Sequence, residues 1–147
     1  MLEVFIHANE VKAEILQFDE DMTHATPKLE EKLGFPLVKS IVFLVDDEPF
    51  IVIVSCKDHV SQEKLKEHLH AENIHLAEEE EVEEITGYEV GAVPPISIYG
   101  VKTIIDQKVA THPIVVAGGG KKNRLLKIPV SEIQRTAEEV QTQDVSE

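Results

Sequence analysis

The chain has one cysteine, Cys56, no tryptophan and few aromatics, with half as many basic as acidic residues (14 Lys and Arg against 28 Asp and Glu). A lone cysteine excludes an intramolecular disulfide framework. No apolar run approaches the ~18 residues of a bilayer span. The first residues, Met1 to Phe5, have neither the positive region nor the long apolar core of a secretion signal, so the cytoplasm is the expected compartment. A net charge of −14 argues against broad affinity for nucleic acid through bulk electrostatics. What is present suits one folded domain. The chain is 147 residues long and 42% hydrophobic, enough to bury about two thirds of its unfolded surface.

The charge is unevenly spread. Glu78 to Glu81, Glu83 and Glu84 sit together, whereas Gly100 to Val130 holds six basic residues against the single acid Asp106. An acidic protein with one basic region can hold a polyanion there, and solvated lysines are the simpler alternative. The glutamate run reads first as a solvated helix face whose acids complement the positive end of the helix dipole.

The periodicity predicts a short helix over residues 2–8, a strand over 12–18, and a helix opened by Thr26 as N-cap with Pro27 behind it and closed by Gly34. Residues 40–45 and 50–55 are β-branched runs that predict an antiparallel hairpin with a four-residue connection, apolar on both faces. Ser61 caps a helix of about ten residues. Residues 74–76 predict a short strand, and 78–85 a helix with Val82 and Ile85 inward and Gly87 as terminator. Strands follow at 103–105, 112–117 and 125–128. Ser131 and Gln134 form a capping-box pattern for a last helix to about Val140. The domain is expected to span residues 1–140, with 141–147 a frayed polar tail. The order is that of an α+β fold with a mixed, mainly antiparallel sheet flanked by helices.

Chemistry is sparse. The seven histidines show no ligand spacing, since His68 and His70 fall on different sides of a helix, so no metal site and no cofactor are expected. Cys56 has no base or oxyanion site near it in sequence and reads as a buried thiol. Gly118 to Gly120 lacks the spacing of a Walker loop; a backbone nest for an anion and a plain hairpin turn both explain it. Thr86 to Pro95 joins a flexible entry, Gly87 and Gly91, to a stiff exit, Pro94 and Pro95, which describes either a ligand wall or a connecting turn. Lys39 lies at the mouth of the first hairpin strand, where it can reach into a cleft or snorkel.

Together, Leu37-Val38-Lys39-Ser40, the loop Thr86-Gly87-Tyr88-Glu89-Val90-Gly91-Ala92-Val93-Pro94-Pro95, and Val115 to Lys121 resemble the YbaK/ProX family over about residues 2–140. These are stand-alone aminoacyl-tRNA deacylases related to the editing domain of bacterial prolyl-tRNA synthetases. The resemblance implies hydrolysis of the ester on mischarged tRNA, chiefly tRNA for proline carrying a small amino acid such as alanine or cysteine, without metal or protein nucleophile. The acceptor end of aminoacyl-tRNA is the implied partner, with a cognate synthetase as a second one and no membrane. Lys39 matches the family's functional lysine, and Gly91 opens its Gly-x-x-x-Pro loop, so these two are the expected catalytic positions. Ser40, Thr86, Gly87, Tyr88, Ala92, Pro94, Pro95, Gly118 and Gly119 are the expected substrate contacts, and Lys121, Lys122 and Arg124 the expected tRNA contacts. Ala92 stands where many members carry a second glycine, and its Cβ is expected to narrow the amino-acid pocket. The alternative is a relative that binds tRNA or a synthetase without catalysis.

Overall fold

The structure, a computed structural model, describes residues 1–24 and 26–147. In chain order the elements are α1 (Leu2–Ala8), β1 (Glu14–Gln17), α2 (Pro27–Leu33), β2 (Val38–Val45), β3 (Glu48–Ser55), α3 (Gln62–Leu69), β4 (Ile74–Leu76), α4 (Glu79–Thr86), β5 (Lys102–Asp106), α5 (Gln107–Ala110), β6 (Ile114–Gly118), β7 (Arg124–Pro129), α6 (Val130–Thr136) and β8 (Gln141–Gln143). They build two sheets. One is antiparallel in the order β1-β7-β6, and the other is mixed in the order β4-β2-β3-β5-β8, with β3-β5 and β5-β8 parallel. The α+β expectation with mainly antiparallel pairing holds.

The strands alternate between layers because successive side chains point to opposite faces. Ile51 and Ile53 of β3, and Val38 and Val42 of β2, face a central core that also takes Val115 and Ala117 of β6 and Leu126 and Ile128 of β7. Phe50, Val52 and Val54 face the other way, onto Leu65 of α3 and Val145. Val116 and Leu125 point out of the three-stranded sheet onto Met22, with Leu29 and Leu33 of α2 packed alongside. Both faces of the β2-β3 hairpin are therefore covered, which explains its unbroken apolar runs. The two sheets meet where Leu37 pairs with Val116 in a single parallel bridge and the Val116 N–H donates to the Pro36 carbonyl.

Helix punctuation follows the chain's local chemistry in most places. The Thr26 side chain accepts from the Leu29 N–H and the Ser61 side chain from the Lys64 N–H, while Gly34 and Gly87 close α2 and α4 in the left-handed region at φ 77° and 80°.

Three expectations are corrected. The β2-β3 connection is two residues, not four: Val45 pairs with Glu48, and Asp46 and Asp47 both take positive φ, 48° and 68°, the geometry of a type I′ turn. Ser131 does not cap the last helix, which starts after Pro129 and ends at Thr136. Burial of Val130 and Ile133, one turn apart, sets the helical phase and leaves Ser131 on the exposed side. The C-terminal segment is not frayed: β8 pairs with β5, Ser146 bridges to Val60, and Val145 and Ser146 are fully buried.

Candidate functional site

A cavity of about 450 Å³ opens at the junction of the two sheets. Its walls come from the start of β2 (Val38 to Val42), the end of β6 with Gly118, the loop after α4 (Val90, Gly91 and Val93), and the first turns of α4. The geometry of β2 explains why this strand contributes a wall. One side of β2 is paired to β3 along its whole length. On the other side β4 pairs with residues 43–45, the Ala77 N–H donates to the Val42 carbonyl, and β6 is bridged at Leu37. Between these contacts a short stretch of strand edge is left to the cavity.

Lys39 is half-buried in that stretch. Its next neighbour, Ser40, keeps its Oγ buried with no hydrogen-bond partner. A buried polar atom of that kind marks a place where strain or a further molecule completes the bonding. Cys56 also lines the cavity. Burial pushes its thiol up to about 11, against the pull of the nearby Lys39 ammonium and with some help from Glu30. The thiol is protonated at neutral pH and is a poor nucleophile.

The glycines at the site are required by close approach. Gly91 sits at φ 86°, and a Cβ there would lie 2.7 Å from the Thr23 Cβ; a Cβ on Gly118 would lie 2.3 Å from the Val93 carbonyl oxygen. Both contacts are shorter than real Cβ contacts, so Gly118 lets the loop pack directly on β6 and Gly91 lets it pack on Thr23, in the segment between β1 and α2.

Of the residues singled out from the sequence, the fold brings Lys39, Ser40, Gly91 and Gly118 to this one cavity. Thr86, Gly87, Tyr88, Ala92, Pro94, Pro95 and Gly119 do not line it. They build the wall from behind. Thr86 Oγ1 donates to the Val82 carbonyl and accepts from the Tyr88 N–H, and the Tyr88 hydroxyl is 2.9 Å from Ser97 Oγ inside the core. Pro94 and Pro95 are buried. Ala92 is buried too, with its carbonyl accepting from the Gly120 N–H, so its Cβ does not narrow the cavity as expected. The pocket residues outside those motifs include Thr23, Glu79, Val82 and Leu125. Two of these, Glu79 and Val82, carried a readable signal: they stand one turn apart on α4, the spacing that places two side chains on one helix face.

The basic third of the chain is largely matched by acids from elsewhere. Arg124 holds Glu3 at 2.8 Å and also donates to Gln17, Lys122 lies 3.3 Å from Glu89, Lys102 3.2 Å from Glu48, and Lys108 3.9 Å from Asp58. Lys127 sits over the Phe35 ring at 4.2 Å, a cation–π contact. Lys121 is exposed. Among the described residues, no group of three or more His, Cys, Asp or Glu side chains is placed to hold a metal ion, and no helix is long and apolar enough to cross a membrane.

Fold and cavity together define a single α+β domain with a mostly apolar pocket at a sheet junction. That class has a family. Residues 21–136 match the model of the aminoacyl-tRNA editing domain, and the chain belongs to that family. It is 36% identical over 88 residues to the proline–tRNA ligase of Halalkalibacterium halodurans, covering 60% of this chain and 16% of the ligase. It is also 36% identical over 104 residues to the proline–tRNA ligase of Lactobacillus acidophilus, covering 68% and 18%. The chain thus spans less than a fifth of the length of these curated relatives. Among solved structures, a hypothetical protein superposes with a TM-score of 0.85 at 25% identity, covering 99% of both chains. A protein put forward as a trans-editing enzyme for prolyl tRNA synthetase superposes with a TM-score of 0.83 at 23% identity, covering 99% of this chain and 92% of its own.

Proposed function

We propose that this chain is an aminoacyl-tRNA deacylase acting in trans, and that its substrate is tRNA for proline carrying a small wrong amino acid such as alanine or cysteine. The observation that carries the reading is the convergence of Lys39, Ser40, Gly91 and Gly118, from separated segments, on one cavity in a chain of the editing-domain family. In this reading the 3′-terminal aminoacyl ester enters the cavity and water adds to the ester carbonyl. The tetrahedral oxyanion then collapses with cleavage of the bond to the ribose oxygen, which takes up a proton.

An aminoacyl ester is already activated. Placement of water and substrate by backbone groups, with a fixed positive charge for the developing oxyanion or the terminal phosphate, supplies much of the barrier reduction. Lys39 is that charge, and Gly91 lets the loop backbone approach. Thr86, Tyr88, Pro94 and Pro95 hold the loop that carries it, while Lys121 and Lys122 face the acceptor stem in the cytoplasm.

Incubation with a panel of mischarged tRNAs tests this. Ester loss is expected to accelerate for at least one small amino acid on tRNA for proline, and Lys39→Ala is expected to lower kcat by roughly 10²- to 10³-fold, the cost of removing one such group. Unchanged decay across the whole panel would overturn it. A second reading, binding without hydrolysis alongside a synthetase, draws support from the internal pairing of Lys102, Lys108, Lys122 and Arg124. That pairing leaves few free cations to capture tRNA unaided, and full tRNA binding with no ester loss would favour this second reading.

A further inference from the structure

Among the described residues, only two charged side chains line the cavity, Lys39 on β2 and Glu79 at the first position of α4. Neither is in an ion pair with the other or with any other group among the described residues. The remaining lining is mostly aliphatic, and its other polar side chains, Thr23, Ser40 and Cys56, carry no charge at neutral pH. Thr23 Oγ1 is committed to Asp21 at 2.5 Å.

The neighbouring glutamates are used or turned elsewhere. Glu81 reaches back to the Glu78 N–H in a capping box, and Glu80, Glu83 and Glu84 do not line the cavity. Glu79 is set apart by phase: it shares a helix face with Val82, which is buried and also lines the cavity.

An unpaired cation and an unpaired anion around one apolar space fit a ligand that carries one charge of each sign. An aminoacyl ester on a 3′-terminal nucleotide is such a ligand: it has a phosphate and, on the carbon next to the ester carbonyl, an ammonium group. Resting on the aminoacyl-ester reading of this site, we propose that Glu79 receives the α-ammonium of the substrate and favours a free amine in productive binding. The same carboxylate disfavours N-acylated esters such as the peptidyl type, which lack that charge and bring extra bulk. Glu79 is thus a specificity-determining residue that selects for the amine, while the aliphatic wall selects for the side chain.

The test uses two probes that cannot be hydrolysed, 3′-alanylamino-3′-deoxyadenosine and its N-acetyl derivative, with Kd measured by calorimetry on the full chain and on Glu79→Gln and Glu80→Gln. The native chain is expected to bind the free-amine probe about two- to fivefold more tightly than the acetylated one, the scale of a single solvent-exposed ion pair. Glu79→Gln is expected to abolish that ratio by weakening the free-amine probe alone, and Glu80→Gln to leave it intact. Equal weakening of both probes by Glu79→Gln, or the same loss in Glu80→Gln, would overturn the role of Glu79. In that case ester loss on the tRNA panel leaves the deacylase reading standing. If the native chain binds neither probe and hydrolyses no panel member, both readings fall together.

Discussion

At the scale of single residues, two carboxylates show how environment decides what an acid does. Glu79 is exposed at a cavity rim. Glu132 is tied down: Arg135 holds it at 2.8 Å and the Lys12 N–H donates to it at 2.8 Å, so its side chain, 13% exposed, links α6 to the chain after α1. The Arg135 hydrogen bonds, followed by the Lys12 N–H, lower its pKa to about 2. The folded value lies below the ordinary carboxylate value of about 4.3. The unfolded chain therefore binds the proton first, and the stabilisation is full above about pH 4.3 and is lost as the pH falls toward 2. Acid titration of stability by urea unfolding is expected to show a decline in that window that is smaller in Glu132→Gln. An identical decline in the variant would show that the link contributes nothing. At neutral pH the variant should also be somewhat less stable, because it loses the charge-assisted bonds to Arg135.

At the scale of elements, the C-terminal strand shows most clearly what a tertiary setting adds. The Asp106 carboxylate, fully buried at the end of β5, accepts from the Val145 and Ser146 N–H groups, and Lys64 binds Asp144 and the Ser146 carbonyl from α3. Asp106→Ala would leave two buried N–H donors without partners. At about 1–3 kcal/mol per unsatisfied group, urea unfolding is expected to show a loss of about 2 kcal/mol or more, and Val145 is expected to lose its hydrogen-exchange protection. A loss below about 0.5 kcal/mol would mean that the segment is held by Val145 packing alone.

This segment reads as a polar tail because residues 141–147 have almost no apolar periodicity. Its order comes from an unpaired edge of β5 and a carboxylate far away in sequence, which no local window contains. The hairpin length is misread for a related reason. Glu48 and Pro49 look like turn residues, yet Pro49 sits in β3 opposite Leu44, and two aspartates take the left-handed geometry instead. The elements whose signals are local, Thr26 and Pro27 at the start of α2, Ser61 before α3 and Gly87 after α4, are legible in advance. At the cavity, the motif residues Lys39, Ser40, Gly91 and Gly118 are legible, while Thr23 and Leu125 line it only because the two sheets meet there.

At the scale of the whole molecule, the basic segment from Gly100 to Val130 and the acidic remainder are complementary parts of one surface. The six basic residues between Gly100 and Val130 look like a polyanion site in the sequence, but four of them face acids contributed by other segments. The likeness to solved structures at 23–25% identity fits a fold specified by its layered apolar pattern, which tolerates volume-conserving exchange, more than by any particular side chain.

The cavity is roofed by loops but framed by two sheets of unequal history. The β2-β3 hairpin is a local structure that can form alone on a microsecond scale, whereas β6 meets the start of β2 across a long stretch of chain (Leu37 to Val116) and must wait for long-range closure. The pocket's two frames are therefore not born together. Stopped-flow refolding is expected to show the proposed deacylase activity returning no earlier than amide protection of Val116, whose N–H donates to the Pro36 carbonyl, and activity that precedes it would mean that the β2-β3 frame suffices. On this argument the pocket is a check on its own molecule: a chain in which β6 has not met the start of β2 has no complete cavity.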